Sequence, residues 1–117
     1  MKIALAIGAG LALAACDPPP LEMGEYPCPP SGTNLTFDNF GAQYLSTNCN
    51  TCHSAENGLR HGAPVDFRFD TLDEVHQRRD RIFVRAAASN TSMPPGPVDP
   101  PADDRDRLAE WLACGAP

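Results

Sequence analysis

The sequence predicts an all-α fold of three or four helices, and two observations carry this prediction. Apolar residues recur at helical spacing in three separate segments of the chain. The segments between them are rich in proline and glycine, which interrupt regular structure, and none alternates in the manner of a strand. At 117 residues the chain has room for one domain at most.

Residues 1–15 have the features of a secretory signal peptide. Lys2 supplies an early positive charge, and the apolar run that follows is too short to span a bilayer stably. The run ends in Leu-Ala-Ala before Cys16, which resembles the bacterial lipobox, where cleavage exposes a cysteine that receives lipid. We therefore expect a lipid-anchored chain on the periplasmic side of a membrane in a bacterial cell envelope. The alternative is an ordinary secretory signal with a cysteine beside it by chance.

Residues 16–32 are predicted to form a membrane tether, and the domain proper is predicted over 33–117. Six prolines between positions 18 and 30 exclude a helix or a central strand from this stretch. Removal of the leader takes Lys2 with it, so the formal charge moves from −6 to −7 and no lysine remains. This acidic surface argues against nucleic acid as a partner and favours a partner protein with a basic docking face.

Two helices are predicted in the first part of the domain. The first begins after Thr36, a good N-cap, and runs into Cys49; its apolar stripe consists of Phe37, Phe40, Gly41, Tyr44 and Leu45. The second opens at a capping-box pattern formed by Thr71 and Glu74, with a possible break between 77 and 80. Its apolar residues are Leu72, Val75, Ile82, Phe83 and Ala86.

A last helix is predicted over about 102–114. Pro101 suits its first turn and Gly115 suits its C-terminal stop. Its buried stripe consists of Leu108, Trp111 and Leu112. The resulting core is small for the amount of loop around it, and a large apolar cofactor at the centre would supply the missing interior.

The segment Cys49-Asn50-Thr51-Cys52-His53 predicts one covalently attached haem c. Two intervening residues let the backbone turn once, so that both sulfurs reach the two vinyl groups on one edge of a porphyrin. The adjacent His53 is then placed to donate an imidazole nitrogen to the iron. A zinc ribbon would need a second ligand pair, and a thioredoxin-like redox pair would need a βαβ pattern; the sequence contains neither.

Met93 is the predicted second ligand of the iron. Met1 is lost with the leader and Met23 lies in the tether, so Met93 is the methionine that remains within the domain. A thioether sulfur is a soft ligand that favours ferrous iron. The alternatives are that Met93 only packs in the core, or that His61 or His76 is the ligand.

The five cysteines can each be given a role. Cys16 is expected to carry lipid, and Cys49 and Cys52 are expected to carry haem. Cys28 and Cys114 remain, one at each side of the domain, and in an oxidising compartment they can form a disulfide. The alternative is two free thiols.

Taken together, these motifs resemble the class I cytochromes c over about 33–115. The residues that carry the resemblance are the helix ending in Cys-x-x-Cys-His, Gly62-Ala63-Pro64, Met93-Pro94-Pro95, and the final Leu108-x-x-Trp111-Leu112. The resemblance implies a small class I cytochrome c fold, with three to four helices around one covalently attached haem. The tail 111–117 also looks like that of small haem lipoproteins from myxobacteria.

The resemblance also implies roles for individual residues. The first and last helices of the family cross, and Gly41 matches the small residue at the crossing, with Leu45, Trp111 and Leu112 as its apolar partners. Pro64 matches the proline whose carbonyl orients the proximal histidine, here His53. The lysine-free surface departs from the lysine-ringed docking face of better-known members.

The expected function is that of an electron carrier and not an enzyme. We expect outer-sphere electron transfer between redox partner proteins of a membrane chain, with the lipid anchor confining the carrier to the membrane surface. The alternatives are a five-coordinate haem c protein that binds a gas or peroxide, a haem subunit of a larger oxidoreductase, and a redox-inert structural lipoprotein.

Overall fold

A computed structural model of the protein describes residues 16–97 and 99–117, and the predicted signal peptide over 1–15 lies outside them. The described residues form three α-helices and no strand, so the all-α prediction is confirmed. The helices are α1 (Ala42–Asn48), α2 (Leu72–Ala86) and α3 (Ala102–Ala113), and two short turns precede them: a 3₁₀ turn at Met23–Glu25 and a π-helical turn at Phe37–Gly41.

The first predicted helix is a π-helical turn that continues directly into α1. The Thr36 hydroxyl accepts from the Asn39 amide at 3.1 Å, and the Asn39 side chain accepts from the Thr36 amide at 2.7 Å. The Gly41 amide donates to the Thr36 carbonyl at 3.0 Å, five residues back, which makes this turn wider than an α-helical one. The N-cap predicted at Thr36 is confirmed.

Helix α2 is a single unbroken helix, so the break considered between 77 and 80 is absent. Its capping box is present, because Thr71 and Glu74 exchange bonds between side chain and backbone at 3.3 and 3.1 Å. Acidic residues in its first turn and Arg85 in its last turn suit the helix dipole. The buried residues of α2 are Val75, Ile82, Phe83 and Ala86.

Helix α3 supplies the centre of the core through Trp111, whose side chain is 0% exposed. The π-helical turn packs on it, with the Phe40 and Trp111 rings 6.0 Å apart and nearly perpendicular. A Cβ atom placed on Gly41 would overlap the Trp111 ring. The small residue predicted at Gly41 therefore lies against α3, and its lack of a side chain permits this close approach.

The N-terminal segment joins the domain earlier than predicted. Leu21, Met23 and Tyr26 pack against the core, and the Leu21 backbone exchanges two hydrogen bonds with the Asn90 side chain, at 2.9 and 2.8 Å. The prolines leave room for only the short 3₁₀ turn at Met23–Glu25, but they do not prevent the apolar side chains between them from packing. Packing against the core therefore begins at Leu21, within the segment predicted as a tether, and every residue of 16–20 is exposed.

The sulfurs of Cys28 and Cys114 are joined in a disulfide, 86 positions apart in the chain. This bridge fastens the N-terminal segment to the end of α3. Cys16, Cys49 and Cys52 are free cysteines, and Cys16 is exposed. Across residues 16–97 and 99–117, no helix combines the length and apolar character needed to cross a membrane.

Candidate functional site

A cleft of about 670 Å³ opens between the C-terminal end of α1, the C-terminal half of α2 and two irregular loops. Its volume lies within the range of about 300–1,000 Å³ that is usual for cofactor and ligand sites. The five residues predicted from the sequence to bind the cofactor all line this cleft: Cys49, Cys52, His53, Pro64 and Met93. They come from three separate stretches of the chain.

The cysteine pair lies on a tight turn that follows α1. The Cys49 amide still donates to the Leu45 carbonyl at 2.9 Å, so the helix delivers Cys49 directly to the turn. The Cys49 carbonyl then accepts from the amides of Cys52 and His53, at 3.1 and 3.0 Å. This single turn brings both sulfurs and the imidazole to the wall of one cleft.

Burial raises the pKa of the Cys49 thiol to about 12, although the charge of Arg105 acts in the opposite direction. Cys49 is therefore a neutral thiol near pH 7, with little nucleophilic thiolate. Among the described residues, no three His, Cys, Asp or Glu side chains cluster closely enough to hold a metal ion by themselves.

His53 is held in one orientation by two contacts. Its Nδ1 atom lies 2.7 Å from the Phe67 carbonyl oxygen, and its ring stacks on the Phe69 ring with centroids 4.7 Å apart. A carbonyl oxygen can only accept a hydrogen bond, so Nδ1 must carry the proton. The lone pair of Nε2 is then available to a metal.

The role that the resemblance implies for Pro64 is taken by Phe67. The Pro64 carbonyl accepts from the Phe67 amide at 3.0 Å and from Nη2 of Arg60 at 2.7 Å. The turn formed by the first of these bonds carries the chain on by three residues and brings the Phe67 carbonyl to His53. Pro64 still lines the cleft, but the expectation that its carbonyl orients His53 is wrong.

Arg60 ties together the loop that carries these carbonyls. Its guanidinium donates to the carbonyls of Ser54, Ala63 and Pro64, at 2.7, 3.3 and 2.7 Å. Sequence reasoning missed both Arg60 and Phe67. An arginine in an irregular segment resembles any solvated charge, and a backbone carbonyl leaves no signal in the side-chain pattern.

Met93 is fixed through both polar groups of its backbone. Its amide donates to the Arg85 carbonyl at 2.8 Å, and its carbonyl accepts from Nη1 of Arg105 at 2.9 Å. Its side chain is 37% exposed and lines the cleft. His61, one of the alternative ligands, also lines the cleft, whereas His76 is away from it with Nε2 2.8 Å from the Ala116 carbonyl.

The cleft wall fits an apolar group that carries negative charge at its edge. Phe67, Phe69, Ile82 and Ala86 provide apolar surface. The charged residues on the wall are Arg60, Arg81 and Arg85, and no carboxylate is among the described lining residues. In a chain with a formal charge of −6, this is a local excess of positive charge. A porphyrin with two propionates has the matching character, so the residues present fit haem.

No protein-family model, no curated protein and no solved structure matches this chain.

Proposed function

We propose that this chain is a mono-haem c-type cytochrome with a class I cytochrome c fold, and that it carries electrons between redox proteins at a membrane. The observation that carries the proposal is the shared cleft. Its apolar wall bears Cys49, Cys52 and His53 from the pentapeptide and Met93 from a distant loop. Two sulfurs, one imidazole and one thioether are the side chains that a covalently bound, six-coordinate haem requires.

Each of these residues has a distinct role in the proposal. Cys49 and Cys52 would hold the porphyrin edge through thioether bonds, and His53 would bind the iron through Nε2. The Phe67 carbonyl, 2.7 Å from Nδ1, would strengthen His53 as a donor. Met93 would supply its thioether sulfur as the second protein ligand of the iron, and this soft sulfur would favour the reduced state. Bound haem supplies an iron that changes oxidation state without binding substrate.

The surroundings of the cleft are consistent with a carrier. With His53 and Met93 both bound to the iron, no position would remain for a substrate, so the site would only accept and donate electrons. Cys16 is exposed and is the first residue of the stretch 16–20, in which every residue is exposed. Lipid on Cys16 would hold the domain at a membrane surface, where partner redox proteins are reached by lateral diffusion.

The absorption spectrum of the ferric protein tests this function. We expect a methionine–iron charge-transfer band in the wild type, its loss in Met93→Ala, and a reversible one-electron wave in voltammetry. Met23→Ala is the matched control, because Met23 packs against the core and does not line the cleft. It should keep the band unchanged.

Two of three informative results would count against the carrier, and the other would change only the residue that binds the iron opposite His53. A wild type that lacks the band and binds carbon monoxide quickly would favour a five-coordinate haem that binds a gas or peroxide. A wild-type spectrum that changes in His61→Ala and not in Met93→Ala would assign the axial position to His61, which also lines the cleft. Absence of a reversible wave would favour a redox-inert structural lipoprotein.

A further inference from the structure

Helix α3 carries one charged side chain on its buried face. Arg105 is only 3% exposed, and it occupies the same face as Leu108, Ala109 and Leu112, which are each 0% exposed. Burying a cation costs several kcal/mol unless nearby groups compensate for lost water. The groups around Arg105 therefore indicate what the residue is for.

The guanidinium of Arg105 binds a row of backbone carbonyls. Its Nη1 atom donates to Ala86 at 2.7 Å, to Asn90 at 3.1 Å and to Met93 at 2.9 Å. The backbone of Arg105 takes part as well, because its carbonyl accepts from the Ala88 amide at 3.0 Å. Arg105 thus spans the segment from the last residue of α2 to the proposed iron ligand.

The carbonyl contacts are the main compensation for the charge of Arg105, because its Nη2 atom is poorly paired. Nη2 is buried and has no hydrogen-bond partner among the described residues. Asp99 lies 3.6 Å from it, but that side chain is 69% exposed, so water screens the attraction. The charge is therefore balanced chiefly by the carbonyls of Ala86, Asn90 and Met93.

The loop from the end of α2 to Met93 is also held by contacts that do not involve Arg105. The Asn90 side chain donates to the Phe83 carbonyl at 3.0 Å and exchanges bonds with Leu21. The Met93 amide is bound to Arg85 at 2.8 Å. With Arg105 present, the backbone on both sides of Met93 is fixed to α2 and α3. Without Arg105, the Met93 carbonyl would lose its only described partner.

We propose that Arg105 is the positioning residue that holds Met93 at the cleft and so keeps its sulfur on the iron. This inference rests on the proposed function, because it assumes that Met93 is an axial ligand. Arg105 would act through the backbone of Met93 and not through contact with the haem. Its buried positive charge would also favour the reduced, less positive state of the site.

Displacement of Met93 by imidazole in the ferric haem protein measures this positioning directly. Each hydrogen bond from a charged donor contributes substantially to the free energy that holds its partner in place. Arg105→Met should therefore lower the imidazole concentration for half-loss of the charge-transfer band about ten-fold or more. Arg105→Lys keeps the positive charge but replaces the planar guanidinium with an ammonium group. Its imidazole concentration for half-loss should therefore fall between those of Arg105→Met and the wild type. Voltammetry should give a lower reduction potential for Arg105→Met than for Arg105→Lys.

Arg107→Met is the matched control. Arg107 lies two positions further along α3, but its side chain is 50% exposed and pairs with Asp104. It removes the same charge from the same helix without touching the Met93 loop. We expect its imidazole titration to match that of the wild type within about two-fold.

The outcomes separate this inference from the proposed function. If the wild type lacks the charge-transfer band, both fall, because Met93 is then not a ligand. If the wild type has the band and Arg105→Met lowers only the melting temperature, with an unchanged imidazole titration, Arg105 merely stabilises the fold and the inference alone fails. If Arg105→Met does not accumulate as a haem protein, Arg105→Lys carries the comparison, and a titration equal to the wild type overturns the inference.

Discussion

The Nδ1 atom of His53 lies 2.7 Å from the Phe67 carbonyl oxygen, and this contact settles which imidazole nitrogen is free. The sequence places His53 beside two cysteines but contains nothing that selects a tautomer. That selection depends on a carbonyl fourteen residues away, whose position depends in turn on Arg60 and the turn at Pro64. The chemistry of His53 therefore follows from the fold of the loop as much as from the pentapeptide.

Tyr44 gives a prediction at the same scale. Its hydroxyl is buried without a hydrogen-bond partner among the described residues, and burial raises its pKa well above the usual 10.0. Removing an unpartnered hydroxyl costs little, so Tyr44→Phe should change the free energy of unfolding by less than about 1 kcal/mol near pH 7. Urea unfolding of the oxidised protein provides the measurement.

The raised pKa of Tyr44 also predicts a pH dependence. Above about pH 10 the unfolded phenol ionises while the folded phenol stays neutral, so ionisation stabilises the unfolded chain and stability falls as pH rises. Tyr44→Phe should lose less stability than the wild type between about pH 9 and pH 11. The control Tyr26→Phe keeps Tyr44, so the part of the stability loss that Tyr44 causes should remain. An equal loss in Tyr44→Phe and the wild type would contradict this assignment.

At the scale of elements, the sequence was sufficient for the helices and insufficient for the loops between them. The capping pair Thr71 and Glu74 and the apolar stripe of α2 are local signals, and both are present in the structure. The loop contacts of Arg60 join residues whose proximity arises only on folding. The burial of Arg105 could be predicted in part, because its helical spacing from Leu108 and Leu112 places a charge on the apolar face of α3. Its carbonyl partners could not be predicted.

The packing of the first helix on α3 predicts the effect of Gly41→Ala. The added Cβ would overlap the Trp111 ring, which is fully buried in the core. We expect the free energy of unfolding to fall by about 1–3 kcal/mol, measured by urea unfolding. Gly58→Ala is the control, because nothing lies within 4 Å of the Cβ it would add. Equal stabilities for the two variants would show that this contact is not tight.

At the scale of the whole molecule, the N-terminal segment is part of the domain. The cysteine inventory predicted a bridge between Cys28 and Cys114, and these sulfurs are joined in the structure. Proline content alone led to the expectation of a free tether as far as residue 32. The side chains of Leu21, Met23 and Tyr26 reverse that expectation from residue 21 onward, because they pack against the core.

The disulfide should therefore contribute to global stability. It links residues 86 positions apart, and a loop of that length corresponds to about 4–5 kcal/mol in the chain-entropy model. The double variant Cys28→Ser, Cys114→Ser should unfold at a correspondingly lower urea concentration. Cys16→Ser removes an exposed cysteine outside the bridge and should leave the midpoint unchanged. A loss below about 1 kcal/mol in the double variant would mean that the bridge adds little to the packing around it.

We expect Cys49 and Cys52 to hold one haem covalently at the cleft, and the proposed function depends on this attachment. Intact mass spectrometry under denaturing conditions tests it most directly, on protein exported in cells that attach haem to a co-produced c-type cytochrome. We expect the mass of the mature chain, with the lipid expected on Cys16, plus one haem, and loss of the haem mass alone when Cys49 and Cys52 are both replaced by alanine. A wild-type chain that lacks the haem mass, from cells in which the co-produced cytochrome carries its haem, would contradict covalent attachment.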